Sequence, residues 1–215
     1  MLKFESDNKP KDDSVPASVP TDDDEPVGHR GDKRERILDA ALELFNDRGF
    51  HGTPMPLVAE QAGVAAGTIY RYFESKEALV NALFHYWYSV LNRDLFDEDW
   101  AQRPLRERFH LHWERLANFA FTHPRAYAFL NLHFHSTYLD DESRAEIMRH
   151  WERGEAFFAE ASEQQVTKNL PPEMLMLMID GLFTGMFRSH VLGMVEMTPE
   201  LIRAGEECAW ATVRR

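Results

Sequence analysis

Between residues 66 and 76 the chain carries Thr68, Tyr70, Arg71, Tyr72 and Lys76. These five side chains donate hydrogen bonds, and groups of this kind bond phosphate oxygens or base edges when a helix presents them to a duplex. Further along, Phe109, Trp113, Tyr127, Phe134, Tyr138 and Trp151 are interleaved with His110, His112, His123, His133, His135 and His150. Apolar walls with a few placed polar groups are what a small-molecule pocket requires. Phe109, Trp113, Tyr127, Phe134, His133, Tyr138 and Trp151 are therefore the expected pocket residues, holding a largely apolar ligand whose polar end meets His133 or Tyr138. Most of the other rings are expected to be core.

Other chemistries fit the residues less well. His110/His112 and His133/His135 are each two apart, about 200° around a helix, so neither pair chelates a metal from one face. No His-x-x-x-His occurs, Cys208 is the single cysteine, and Glu107 with His110 is the one Glu-x-x-His, where di-iron bundles need two such pairs and further glutamates. No metal and no cofactor are expected. A Gly-rich phosphate loop, a nucleophile elbow and a His-Glu-x-x-His helix are all missing from the sequence, so an enzyme is not expected either.

With 24 Lys+Arg against 36 Asp+Glu, the 215 residues carry a formal charge of −12, which at first argues against a polyanion partner. The charge is unevenly spread. Counted along the sequence, it is −5 up to Asp32, −1 over residues 33–79 and −6 beyond. The candidate contact segment is thus close to neutral, and repulsion from the rest is expected to keep non-specific DNA binding weak and steeply salt-dependent. A lone cysteine fits a reducing compartment. The first residues hold no apolar run of the secretory kind, so a cytoplasmic location is expected, with no membrane partner.

Several elements must position these groups. Residues 1–31 are rich in acids and proline and poor in large apolar side chains, which predicts a disordered acidic tail. It adjoins Arg30, Lys33, Arg34 and Arg36, where it could compete with DNA. From Lys33 the pattern is helical: Ile37, Ala40, Ala41, Leu44 and Phe45 form one apolar stripe, and Gly49 stops it. Thr53 is expected to cap a second short helix carrying Met55, Val58 and Ala59. Ala62-Gly63-Val64 makes a tight turn, Ala66 to Phe73 a third helix, and Ser75 caps a long fourth helix to about Phe96. Pro104, Pro124, Asp140-Asp141-Glu142, Pro171-Pro172-Glu173 and Thr198-Pro199-Glu200 mark further helix starts. The expected fold is all-α, about nine helices, with a three-helix helix-turn-helix domain at 32–79 and a helical ligand-binding and dimerisation domain at 80–215.

Arg36-Ile37-Leu38-Asp39-Ala40-Ala41, Leu44-Phe45, Arg48-Gly49-Phe50, Thr53, Val58-Ala59, Ala62-Gly63-Val64, Gly67-Thr68-Ile69-Tyr70 and Tyr72-Phe73-Glu74-Ser75-Lys76-Glu77-Ala78-Leu79 together resemble the TetR family of transcriptional regulators. The resemblance implies a homodimer with DNA-binding domains at one end and repression of transcription relieved by a small-molecule effector. It places Thr68, Tyr70, Tyr72 and Lys76 on phosphates, Ala66, Gly67 and Arg71 near base edges, and Thr53 on the backbone at the start of the second helix. Arg71 is the expected main polar base reader. Position 65 is Ala where the family usually has a small hydroxyl residue, so one helix-start hydrogen bond is missing. Ala66 stands where a polar or basic residue is frequent, and Pro56 is unusual in the second helix. Two other readings stay open: a helical small-molecule-binding protein with weak or lost DNA binding, favoured by Ala65 and Ala66, and a dimeric DNA-binding protein without an effector.

Residues 174–194 are apolar on nearly every side, yet Asp180, Arg188, Ser189 and His190 leave no run long enough to cross a bilayer. Such a helix is buried on more than one face. Gly181 and Gly185 give it a smooth strip for a second helix. Leu175, Met178, Ile179, Leu182, Phe183, Met186 and Trp210 are accordingly expected at a dimer interface.

Overall fold

The computed structural model describes residues 27–96, 99–134 and 136–215, the first six of them in backbone alone. Among the described residues there are nine α-helices and no strand, only a single bridge between Thr167 and Arg214. The helices are α1 (Val27–Arg48), α2 (Met55–Gln61), α3 (Ala66–Tyr72), α4 (Lys76–Leu95), α5 (Leu105–Thr122), α6 (Pro124–His133), α7 (Asp141–Glu163), α8 (Pro172–Val191) and α9 (Pro199–Val213). No helix among them is long and apolar enough to cross a membrane. The first helix begins at Val27, so residues 27–31, expected in the tail, belong to α1 instead. Residues 1–26 and the competition ascribed to them lie outside the described residues.

Local chemistry explains most of the helix ends. Ile37, Ala40, Ala41, Leu44 and Phe45 are all buried, and Gly49 ends α1 at φ +67°, a left-handed conformation that an L side chain rarely adopts. Gly63, at φ +66°, closes the turn between α2 and α3 while its carbonyl accepts from Arg36. Ser75 caps α4, Asp140 caps α7 and Thr198 caps α9, each side chain accepting a backbone N–H three residues on.

The cap expected from Thr53 does not form. Pro54 occupies the helix boundary, and the fully buried Thr53 hydroxyl contacts the carbonyls of Leu44 (3.1 Å) and Gly49 (2.9 Å). It ties the end of α1 to the following loop. Pro56 sits within the first turn of α2, where its missing N–H breaks no helical bond. Position 65 does lack a capping side chain, as read from Ala65.

Helices α1 to α3 form a small head, and α4 runs from it without a break into the larger bundle. α1 packs on α6 and α4, α4 packs on α5 and α7, and α8 lies against both α7 and α9. The head and bundle therefore share a continuous core.

Candidate nucleic-acid interface and ligand cavity

The recognition element of the head is α3, whose inner side is anchored by fully buried Ile69. Its outward face presents Ala66, Gly67, Tyr70 and Arg71, with Tyr70 52% exposed and Tyr72 half-buried. These five occupy one accessible end of the molecule. The other three expected contact residues are placed differently. Thr53 is enclosed in the core, and Thr68 is only 8% exposed. Lys76 donates its ammonium to the Phe50 carbonyl (2.8 Å) and sits 4.2 Å above the Phe50 ring. It acts as a strut under the head, because a cation over a ring face with a carbonyl partner is already well solvated by protein. Arg34 and Arg36 likewise lie against the head, the first over the Phe73 ring.

In the bundle, a cavity of about 220 Å³ opens between α5 and α7. Five expected pocket residues line it: Phe109, Trp113, Tyr127, Phe134 and Trp151. His133 and Tyr138 do not. They are hydrogen-bonded to each other, Nδ1 to hydroxyl, and the Tyr138 ring stacks on Phe50 of the head. His133 is buried between Phe129 and Phe45, and that burial holds its imidazole down to about 4. The pair belongs to the junction between head and bundle. Asn81 of α4 donates to the Tyr138 carbonyl, and Asn46 of α1 to that of Arg125, whose guanidinium pairs with Glu43.

Apart from Tyr127, the polar groups of the cavity are not the expected His133 and Tyr138. His112 and His150 line it with ring centroids 6.3 Å apart, and Arg108, Arg153, Asn131 and Asp180 join them. Burial, then neighbouring charge, pushes His112 down to about 3 and His150 down to about 4, so both are neutral near pH 7. His110, two residues before His112, turns to the other side of α5 and bonds Glu206 at 2.8 Å. A signal for the polar pair existed: Arg108 and His112 are one turn apart on α5, as are His150 and Arg153 on α7. Phe96, Trp100, Arg108, Arg153 and Phe157 also line a more open hollow of about 370 Å³ beside the cavity, and these shared walls make up its mouth.

The expected interface residues divide. Leu175 and Phe183 are buried within their own chain at 0% and 1% exposure and are core, Phe183 meeting Trp113 and Tyr127. Ile179 lines the cavity, Leu182 is half-buried against the core, Met186 covers Gly205, and Trp210 packs at a tilt against Phe109. Met178 stays exposed, alongside Met174, Leu177 and Leu201. Among the described residues, nothing beyond the local helix backbone lies within 4 Å of a Cβ placed at Gly181 or Gly185.

The sequence profile of bacterial regulatory proteins of the tetR family matches residues 37–83, and that of the tetracyclin repressor-like C-terminal domain matches residues 89–215. The chain is 46% identical over 52 residues to the "Fatty acid metabolism regulator protein" of Bacillus subtilis, covering 24% of this chain and 27% of that one. It is 26% identical over 175 residues to the "Probable acrEF/envCD operon repressor" of Escherichia coli, covering 75% and 77%. The match spans about a quarter of the length of the first curated relatives. A TetR family transcription regulator from Marinobacter aquaeolei has the same fold, with a TM-score of 0.76 at 22% identity over 87% of this chain and 98% of that one.

Proposed function

The chain belongs to the tetR family of bacterial regulatory proteins, and from that premise we propose that it is a ligand-responsive transcriptional repressor. As a homodimer it binds a near-palindromic operator and is released when a small, largely apolar effector fills the cavity between α5 and α7. Two α3 helices roughly 34–36 Å apart would enter successive major grooves. Ala66, Gly67 and Arg71 then face base edges, and Tyr70 and Tyr72 face the phosphates.

The observation that carries this reading is the junction. An exposed recognition helix sits on a head that is stacked, through Phe50 and Tyr138, onto the same bundle that contains the cavity. A change in cavity shape thus has a packed route to the head. An effector shifts the equilibrium only by its differential affinity for the two states, with a coupling of about 1–3 kcal/mol being typical.

In this reading the second copy packs against the exposed side of α8 and α9, which is supported by exposed Met174, Leu177, Met178 and Leu201 and by the open space at Gly181 and Gly185. Apolar surface of this kind is common at obligate dimer interfaces. A gel-shift on the DNA flanking its own gene, repeated with candidate effectors, tests the reading. Operator binding that is lost on adding effector supports it; absence of sequence-specific binding overturns it.

A further inference from the structure

Two residues that line the cavity each carry a buried nitrogen with unmet hydrogen-bonding capacity. Arg108 is only 6% exposed; its Nη2 pairs with Glu160 at 2.5 Å and its guanidinium lies 5.1 Å from the centre of the Phe157 ring. Its Nε is buried with no partner, as is Nδ1 of His150. Both residues line the same cavity. Leaving a buried donor unmade is costly, more so on a charged group, and native proteins keep such groups where a ligand or water completes them.

The surroundings indicate the charge of that ligand. Arg153 stands over Phe96 at the mouth (4.9 Å) and Arg115 over Trp100 (6.0 Å). With His112 and His150 neutral near pH 7, the charges at this end are the guanidiniums of Arg108, Arg153 and Arg115, so the field there is positive. Glu160 offsets part of it, but its carboxylate is nearly half exposed and is committed to Arg108. Asp180, Tyr127 and Asn131 line the cavity but not its mouth. Burial raises the Asp180 carboxyl, although the residue as a whole is exposed. The walls are flat rings, and the enclosed part of the site, about 220 Å³, has room for a single small ring system, being below the ~300–1,000 Å³ of sites for drug-sized ligands, while the hollow at the mouth adds about 370 Å³ of more open space.

We infer that the effector is a small aromatic carboxylate, its ring held between the aromatic walls and its carboxylate accepting hydrogen bonds from Arg108 Nε and His150 Nδ1. The inference rests on the cavity being the effector site. The imidazole adopts the Nδ1–H tautomer in the complex, and Arg153 screens the anion at the mouth.

Calorimetry on the full chain near neutral pH tests this with three probes of one shape: 3-phenylpropionate, its methyl ester and 3-phenylpropylamine. The acid is expected to bind about tenfold tighter than either of the others, the worth of a charge-assisted hydrogen bond in a shielded site. Arg108→Gln should abolish that preference, Arg153→Gln should reduce it several-fold, and Arg203→Gln, on an exposed surface pair, should leave it intact. Should Arg108→Gln fail to fold by circular dichroism, Arg153→Gln decides alone. Equal or tighter binding of ester or amine, no binding of the acid at millimolar concentration, or an unchanged preference in the deciding variant overturns the inference. Failure of the regulatory reading looks different. If the acid binds with this preference yet leaves the complex with DNA from upstream of the gene intact, the ligand class stands and effector release falls.

Discussion

The ring of Tyr138, in the loop after α6, lies stacked on that of Phe50, just after α1, with centroids 4.0 Å apart and planes at 18°. Phe50 is held from its other neighbours by Lys76, and Tyr138 by His133 and Asn81. Removing the ring should therefore loosen the head. Tyr138→Ala is expected to destabilise the chain by about 3 kcal/mol or more and to lower operator affinity, whereas Tyr138→Phe, which keeps the stack but leaves the buried His133 without its partner, costs about 1–2 kcal/mol and spares operator affinity. Thermal melting and fluorescence anisotropy on the same preparations check this; equal effects of the two changes would contradict it.

Arg71 projects from the exposed side of α3. If it reads a base edge, Arg71→Ala costs about 1–3 kcal/mol on operator DNA and much less on scrambled DNA. Anisotropy titrations on both duplexes measure the difference. A uniform loss would instead make Arg71 a phosphate contact.

The exposed strip on α8 gives a test of dimerisation that spares the monomer. A Cβ at Gly185 meets nothing within 4 Å among the described residues beyond its own helix backbone, and the position is exposed, so Gly185→Leu should preserve the helical circular-dichroism signal. Where a second helix packs there, overpacking of about 1–3 kcal/mol or more follows. Sedimentation velocity should then show a shift toward monomer, with operator affinity falling in parallel.

Stability should decline in mild acid. His112, His133 and His150, ordinarily near 6.5, are held by burial at about 3, about 4 and about 4. Their folded values are depressed, so the unfolded chain binds more protons below about pH 6.5. Stability is full above that pH, falls as pH drops, and levels off only below about 3, with each histidine contributing at most about 1.4 kcal/mol per pH unit. Asp180, raised by burial, works in the opposite direction but is a single group. Melting temperatures between about pH 7 and about pH 4.5 should fall, and His150→Phe should flatten the slope.

Gly63 offers a check on the head alone. At φ +66°, with only Arg36 near a Cβ placed there, Gly63→Ala meets backbone strain rather than a clash. The expected cost is about 1–2 kcal/mol, read as a lower melting temperature, with α3 tilted and DNA binding weakened beyond the stability change.

Helix positions were readable because their signals are local: a stripe such as Ile37 to Phe45, a glycine stop at Gly49, a serine cap at Ser75. The roles of single polar side chains were not, since they depend on partners far away in the chain. Thr53 looks like a cap by spacing, but the carbonyls of Leu44 and Gly49 claim its hydroxyl. Lys76 looks like a phosphate contact until Phe50 folds beneath it. His133 and His150 are alike in sequence; only the packing of α6 against α1 sends one to the junction and the other to the cavity. Leu175 and Phe183 share an apolar helix with Met178, and the side facing α7 and α9 cannot be told from the bare side without the neighbours.

The seam between head and bundle is built from matched parts: ring on ring at Phe50 and Tyr138, and Glu43 and Asn46 against Arg125. A head of this kind is portable only together with its seat. Transplanting α1 to α3 onto the bundle of a relative would transfer the DNA preference, but it would transfer the response to ligand only where an aromatic ring waits at the place of Tyr138. Grafts that exchange both sides of the seam at once should switch, and grafts that exchange one side should bind DNA and ignore the effector.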